Sequence, residues 1–178
     1  MDIKLLVKVT ARAWSLDILA LLHKGVPGRQ AALLGATGAG RTAFAQSLKH
    51  LTELGLLIRN PGHGHPLRPE YVLTEKGRAM AGVASRIRAF DIDKSADALL
   101  RRSWTVPVLA LSGRPVHYSR IKGGLGQITD RALSRSLKDL QALNWITRDI
   151  ENASYPPRPL YQAANMGARI SRAVGVTP

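Results

Sequence analysis

Arg131, Ser134, Arg135 and Lys138 are spaced three, one and three residues apart, so on a helix they share one face. Arginine offers a planar fork of donors that matches the O6 and N7 edge of guanine, and lysine is a point charge suited to phosphate. Thr129 and Asp130 stand just ahead of them. An earlier stretch carries Arg41, Thr42, Gln46 and Lys49, in which glutamine can bond adenine through two atoms. Both sets could hold a polyanion and read base edges. Taken singly, Lys49, Lys138 and Arg135 would be ordinary solvated surface charges. Their occurrence in two matching stretches changes that weight.

Other chemistries can be set beside this one. The run Gly35–Thr42, GATGAGRT, resembles a phosphate-binding loop with arginine in place of the lysine. Such a loop must follow a buried strand, and an aspartate ending another strand must hold magnesium; neither is evident. His63 and His65 could face a metal from one loop, but no third ligand stands nearby, so no metal site is expected. No serine, histidine and carboxylate set suggests catalysis, and no cofactor is expected. Cysteine is absent, which excludes disulfides and thiolate zinc sites and suits a reducing cytoplasm.

These side chains need elements to position them. In ITDRALSRSLKDLQAL, residues 128–143, Leu133, Leu137, Leu140 and Leu143 recur with a helix period opposite the cations, and Thr129 is placed to cap the helix. Phe44, Leu48, Leu51 and Leu54 do the same over 41–54. Helices are also expected from Trp14 to a stop at Gly25, over 29–34, from Thr74 to about Phe90, over 95–102, from about Trp104, over 117–122 and over 165–174. Strands are expected at 56–59, 70–73, 145–149 and 160–162, with loops at 61–69 and 151–158. GGLGQ, residues 123–127, reads as a turn, and residues 1–10 are ambiguous between strand and helix.

With 178 residues, 45% apolar, the chain can form one medium domain or two small ones. Net charge is +14, shared between the halves: residues 1–90 carry 13 basic against 5 acidic side chains, and 91–178 carry 13 against 7. Two basic globular halves point to nucleic acid before a membrane surface. No apolar run is long enough to cross a bilayer, and the amino terminus lacks signal-peptide features.

The halves repeat. Trp14 falls on Trp104, Arg68-Pro69 and Tyr71 on Arg158-Pro159 and Tyr161, and Gly77 on Gly167, all at an offset of 90. Ser47-Leu48-Lys49 falls on Ser136-Leu137-Lys138 at an offset of 89. The chain thus reads as two copies of helix, helix, helix, strand, loop, strand, helix.

That order resembles the winged helix-turn-helix. On Trp104-Thr105, ITDRALSRSLKDL at 128–140 and RPLY at 158–161, the second copy is similar to the HxlR branch of the MarR-like regulators. On SLKHLTELGLL at 47–57 and RPEYVLTEKG at 68–77, so is the first. The resemblance implies a mainly α fold with small β-hairpins (α+β), as tandem winged domains over 1–92 and 93–178, and sequence-specific double-stranded DNA binding without enzymatic activity. It places the third helix of each copy in the major groove and the loop between strands on the backbone or minor groove. The implied contacts are Arg41, Thr42, Gln46 and Lys49 with His63, His65 and Arg68, and Thr129, Asp130, Arg131, Ser134, Arg135 and Lys138 with Asn152, Ser154 and Arg158. Arg131, Arg135 and Gln46 would touch bases; Thr42, Thr129, Lys49 and Lys138 would touch the backbone. Such a regulator would sit on the nucleoid in the cytoplasm, away from membranes, as a monomeric pseudo-dimer or a homodimer. RNA polymerase or another regulator is the further partner the resemblance allows. The alternative is a tandem winged-helix interaction subunit of a chromosome-organising or transcription complex.

Overall fold

Residues 1–60, 69–151 and 157–176 are described in the computed structural model, and in them the order of elements occurs twice, each time behind a short leading helix. The first set is α1 (Ile3–Thr10), α2 (Ser15–His23), α3 (Gln30–Thr37), α4 (Arg41–Glu53), β1 (Leu57–Asn60), β2 (Glu70–Leu73) and α5 (Glu75–Arg88). The second is α6 (Lys94–Leu100), α7 (Thr105–Leu111), β3 (Val116–His117), α8 (Tyr118–Leu125), α9 (Asp130–Ala142), β4 (Ile146–Glu151), β5 (Arg158–Ala163) and α10 (Asn165–Val174). Helices dominate and the sheets are small and antiparallel, so the fold is α+β with the winged helix-turn-helix order present in tandem.

One unit is Arg12–Asp91. Its core is Ile18, Leu19, Leu33, Phe44, Leu48, Leu51, Leu56, Met80 and Ile87, each at most 3% exposed. α2 lies along α5, and an ion pair of 2.7 Å between Asp17 and Arg88, both mostly buried, joins them. The hairpin pairs Leu57 with Leu73 and Arg59 with Tyr71. A third strand is reduced to a single bridge, Arg29 with Glu70, whose side chains also form an ion pair at 2.8 Å. Gly77 and Leu56 meet at the crossing of α5 and the hairpin: a Cβ on Gly77 would lie 2.0 Å from the Leu56 carbonyl oxygen.

The other unit is Met1–Ala11 with Ile92–Pro178. Residues 1–11 thus belong with Ile92 onward and not with Arg12–Asp91. Asp2 caps α1 by accepting from the Lys4 amide at 2.8 Å, and Leu6, Val9 and Thr10 are buried where α1 meets α7 and α8. The Thr10 hydroxyl donates to the Ser103 carbonyl at 2.7 Å, tying the end of α1 to the turn before α7. That burial, with the cap, resolves the ambiguous opening decapeptide as a helix. The sheet order is β3–β5–β4, with Val116 opposite Tyr161 and Ile146 opposite Ala163. A Cβ on Gly167 would lie 2.0 Å from the Trp145 carbonyl oxygen, the same crossing as at Gly77.

Two local expectations change. Gly123, Gly124 and Leu125 belong to α8, and the turn begins only at Gly126, with φ of +71°. Gly124 lets α8 approach Leu111, since an added Cβ would be 2.7 Å from its Cδ1, and Leu125 is 4% exposed. Close packing and burial outweigh the low helix propensity of glycine. Residues 35–37 of GATGAGRT are likewise the last turn of α3, ended by Gly38 at φ +67°. A helix therefore stands where a nucleotide-binding loop would need a strand.

Candidate nucleic-acid interface

α9 buries Leu133, Leu137 and Leu140, each at most 2% exposed, a contribution of roughly 1.5–3 kcal/mol apiece. Thr129 caps it, its hydroxyl accepting from the Ala132 amide at 3.2 Å. The opposite face carries Arg131, Ser134, Arg135 and Lys138, all exposed. Arg135 Nε lies 3.9 Å from Asp139 Oδ2, but Asp139 is taken up more closely by Arg102, and the Arg135 side chain stays 74% exposed. This face is open to a ligand and cationic along its length.

Asp130 has a second engagement. Lys122 Nζ donates to its Oδ2 at 2.7 Å, and the Tyr118 hydroxyl lies 3.1 Å from Oδ1, 3.0 Å from the Asp130 carbonyl and 3.4 Å from Ser134 Oγ. The Lys122 hydrogen bond, then that of Tyr118, holds the Asp130 carboxyl below its ordinary range, and Asp130 in turn raises Lys122. The carboxylate thus sits at the positive end of α9 and braces α8 against it. Lys122 in turn offsets a carboxylate that would otherwise repel phosphate at the head of the helix. Tyr118 and Lys122 were not among the residues singled out by sequence. Their partner lies 12 residues from Tyr118 and 8 from Lys122, across a turn, a spacing with no periodic signal. Only the short helix holding them was legible.

In the other unit α4 buries Phe44, Ser47, Leu48 and Leu51 and exposes Arg41, Thr42, Ala45, Gln46 and Lys49. Gly40 is its N-cap residue and makes no side-chain cap bond, and its first turn holds no acidic residue. Lys49 and Glu53 are 3.7 Å apart and largely exposed, an i,i+4 pair worth a few tenths of a kcal/mol at most. The two outer faces therefore differ: small and polar with one arginine on α4, densely cationic on α9.

The wings are described only at their feet. His63, His65, Arg68, Asn152 and Ser154 lie outside the described residues. Arg158 begins β5, exposed and opposite Glu151. At the foot of the second wing, His117 Nε2 lies 3.3 Å from Glu151 Oε2 and its Nδ1 lies 3.3 Å from the Pro159 carbonyl, so β3 closes on both strands of the hairpin. No group of three or more metal-ligating side chains occurs among the described residues. No helix there is long and apolar enough to cross a membrane.

The family described as HxlR-like helix-turn-helix matches the chain twice, over residues 9–95 and 99–176. Among solved structures, a MarR-family transcriptional regulator from Porphyromonas gingivalis is 19% identical; the match covers 48% of this chain and 88% of that one with a TM-score of 0.41. No curated protein matches.

Proposed function

The chain belongs to the HxlR-like helix-turn-helix family of DNA-binding transcriptional regulators, both halves matching it, and from that premise we propose that two winged helices in one polypeptide act as a pseudo-dimer on double-stranded DNA. α4 and α9 enter the major groove, and the wings at 61–68 and 151–158 reach the backbone or minor groove. Arg131, Arg135 and Gln46 contact bases; Thr42, Thr129, Lys49 and Lys138 contact phosphate. The observation that carries the reading is that both third helices bury their apolar face and leave the groove-reading positions exposed.

The unequal outer faces imply an asymmetric target, with half-sites about 10 base pairs apart or a multiple of that. The basic balance of both halves supports a large electrostatic share of affinity. Gel-shift titrations over a salt series test this. With about six phosphate contacts, affinity falls roughly a thousandfold between about 50 and 200 mM salt. Binding indifferent to both salt and sequence would contradict the proposal.

A further inference from the structure

We infer that each winged helix holds a DNA phosphate in a clamp at the foot of its hairpin, formed by Lys49, Arg59 and Tyr71 in one unit and by Lys138 and Arg148, with Tyr161 behind them, in the other. The inference rests on the DNA-binding reading above and adds residues to it, since neither arginine was singled out by sequence.

In the first unit β1 leaves the core at Leu57, which is 1% exposed. Arg59 follows two residues later and so projects from the same sheet face, with Tyr71 directly opposite it in register. β1 packs against α4, and between them lies a cleft of about 420 Å³ lined by Gln30, Lys49, Thr52, Glu53, Arg59 and Tyr71, among others. Phosphate oxygens only accept, and this cleft offers an ammonium, a guanidinium, an amide and two hydroxyls. Its one carboxylate, Glu53, lies 3.7 Å from Lys49, which leaves the positive charge of Arg59 in excess. A reader helix in the major groove and a wing beside it have the DNA backbone running between them, and the cleft lies between α4 and its wing.

The second unit repeats the placement. Ile146 is 2% exposed where β4 leaves the core against α9, and Arg148 follows two residues later, exposed and opposite Tyr161. The position of Glu53 is held here by Ala142, so this copy lacks the opposing carboxylate. Tyr161 is only 8% exposed, so Lys138 and Arg148 make the contact in this half while the tyrosine braces the strand. The positions assigned to bases diverge between copies, Arg131 standing against Thr42 and Arg135 against Gln46. Lysine, arginine and tyrosine keep their types at three positions drawn from one helix and two strands. Solvated charges have no reason to keep matching types in both halves at places that meet only after folding. Shared positions thus grip the backbone, and divergent ones read bases.

The test compares wild type with Arg59→Gln, Arg148→Gln and the charge-keeping Arg59→Lys and Arg148→Lys. Each full-length protein is titrated over a salt series on a selected target and on a mixed-sequence duplex, with thermal melts to confirm folding. Each glutamine variant is expected to lower the salt slope by about 0.9 and to weaken binding roughly eightfold near 0.1 M salt, equally on both duplexes. Each lysine variant keeps the wild-type slope. Should the glutamine variants bind with unchanged slope, or lose preference for the target while keeping the slope, the clamp is refuted and the DNA-binding reading stands. Should wild type itself bind neither duplex, the DNA-binding reading fails first, and the clamp with it.

Discussion

Gly77→Ala is expected to destabilise the unit Arg12–Asp91 by about 2–4 kcal/mol. The new methyl would stand 2.0 Å from the Leu56 carbonyl oxygen, well inside van der Waals contact. Relief requires α5 and the hairpin to part by roughly 1 Å, and overpacking of that kind costs about 1–3 kcal/mol. The same carbonyl accepts from the Thr74 amide at 3.1 Å, and the Gly77 amide donates to Thr74 Oγ1 at 2.9 Å. Strain on those bonds adds about 1 kcal/mol. Gly82 in the same helix is the control. An added Cβ there meets nothing closer than 3.8 Å, so Gly82→Ala should stabilise by about 0.5–1 kcal/mol through helix propensity. Urea unfolding of both variants and wild type measures the two changes. Equal small effects at both positions would refute the account of this crossing, and Gly167→Ala, facing the Trp145 carbonyl at 2.0 Å, should behave as Gly77→Ala does.

Thr129→Ala removes the cap of α9 and should cost about 1 kcal/mol in urea unfolding; no loss would mean that the Ala132 amide finds another partner. Leu48→Ala and Leu137→Ala, at positions 1% and 2% exposed, should each cost about 2–5 kcal/mol, and a loss well under that for either would place its side chain outside a packed core. The Asp130 carboxyl titrates below the ordinary range because Lys122, then Tyr118, bonds its charged form. Its stabilising effect is therefore full above the unfolded carboxylate pKa of about 3.9 and is lost as pH falls through the lowered folded value. In Lys122→Met, an NMR titration should show the Asp130 midpoint rising toward the ordinary range; an unmoved midpoint would dismiss Lys122 as the cause.

α4 and α9 are legible in sequence because their cause is local. Leucines at helix spacing, a threonine ahead of one of them and long cations on the far side specify α9 without reference to any other element. The repeat is equally plain, because duplicated units face the same constraints: Gly77 and Gly167 both lie against the carbonyl of the residue just before a strand and admit no side chain. What escapes is set by distant partners. β3 is two residues long and exists only through β5. α8 runs through Gly123 and Gly124 because Leu111 and the buried Leu125 require close approach. α1 lies in the unit of the second copy, a choice of neighbour that no periodicity encodes. Asp130 is the first residue of α9, and its bonds to Tyr118 and Lys122 arise across a turn. Arg59 and Arg148 could have been found by sliding the halves, since they coincide at the offset of 89 that aligns Lys49 with Lys138.

The most direct test of two unlike readers in one chain is selection of bound fragments from random DNA, followed by base-resolved major-groove interference on the selected site. The account predicts two short interference blocks about 10 base pairs apart, or a multiple of that, with different sequences. The block read by α9 should be the richer in guanine contacts, and Arg131→Ala should relax preference there by about 1–3 kcal/mol while leaving the other block unchanged. A single block, a perfect palindrome, or an Arg131→Ala protein with unaltered preference would contradict it.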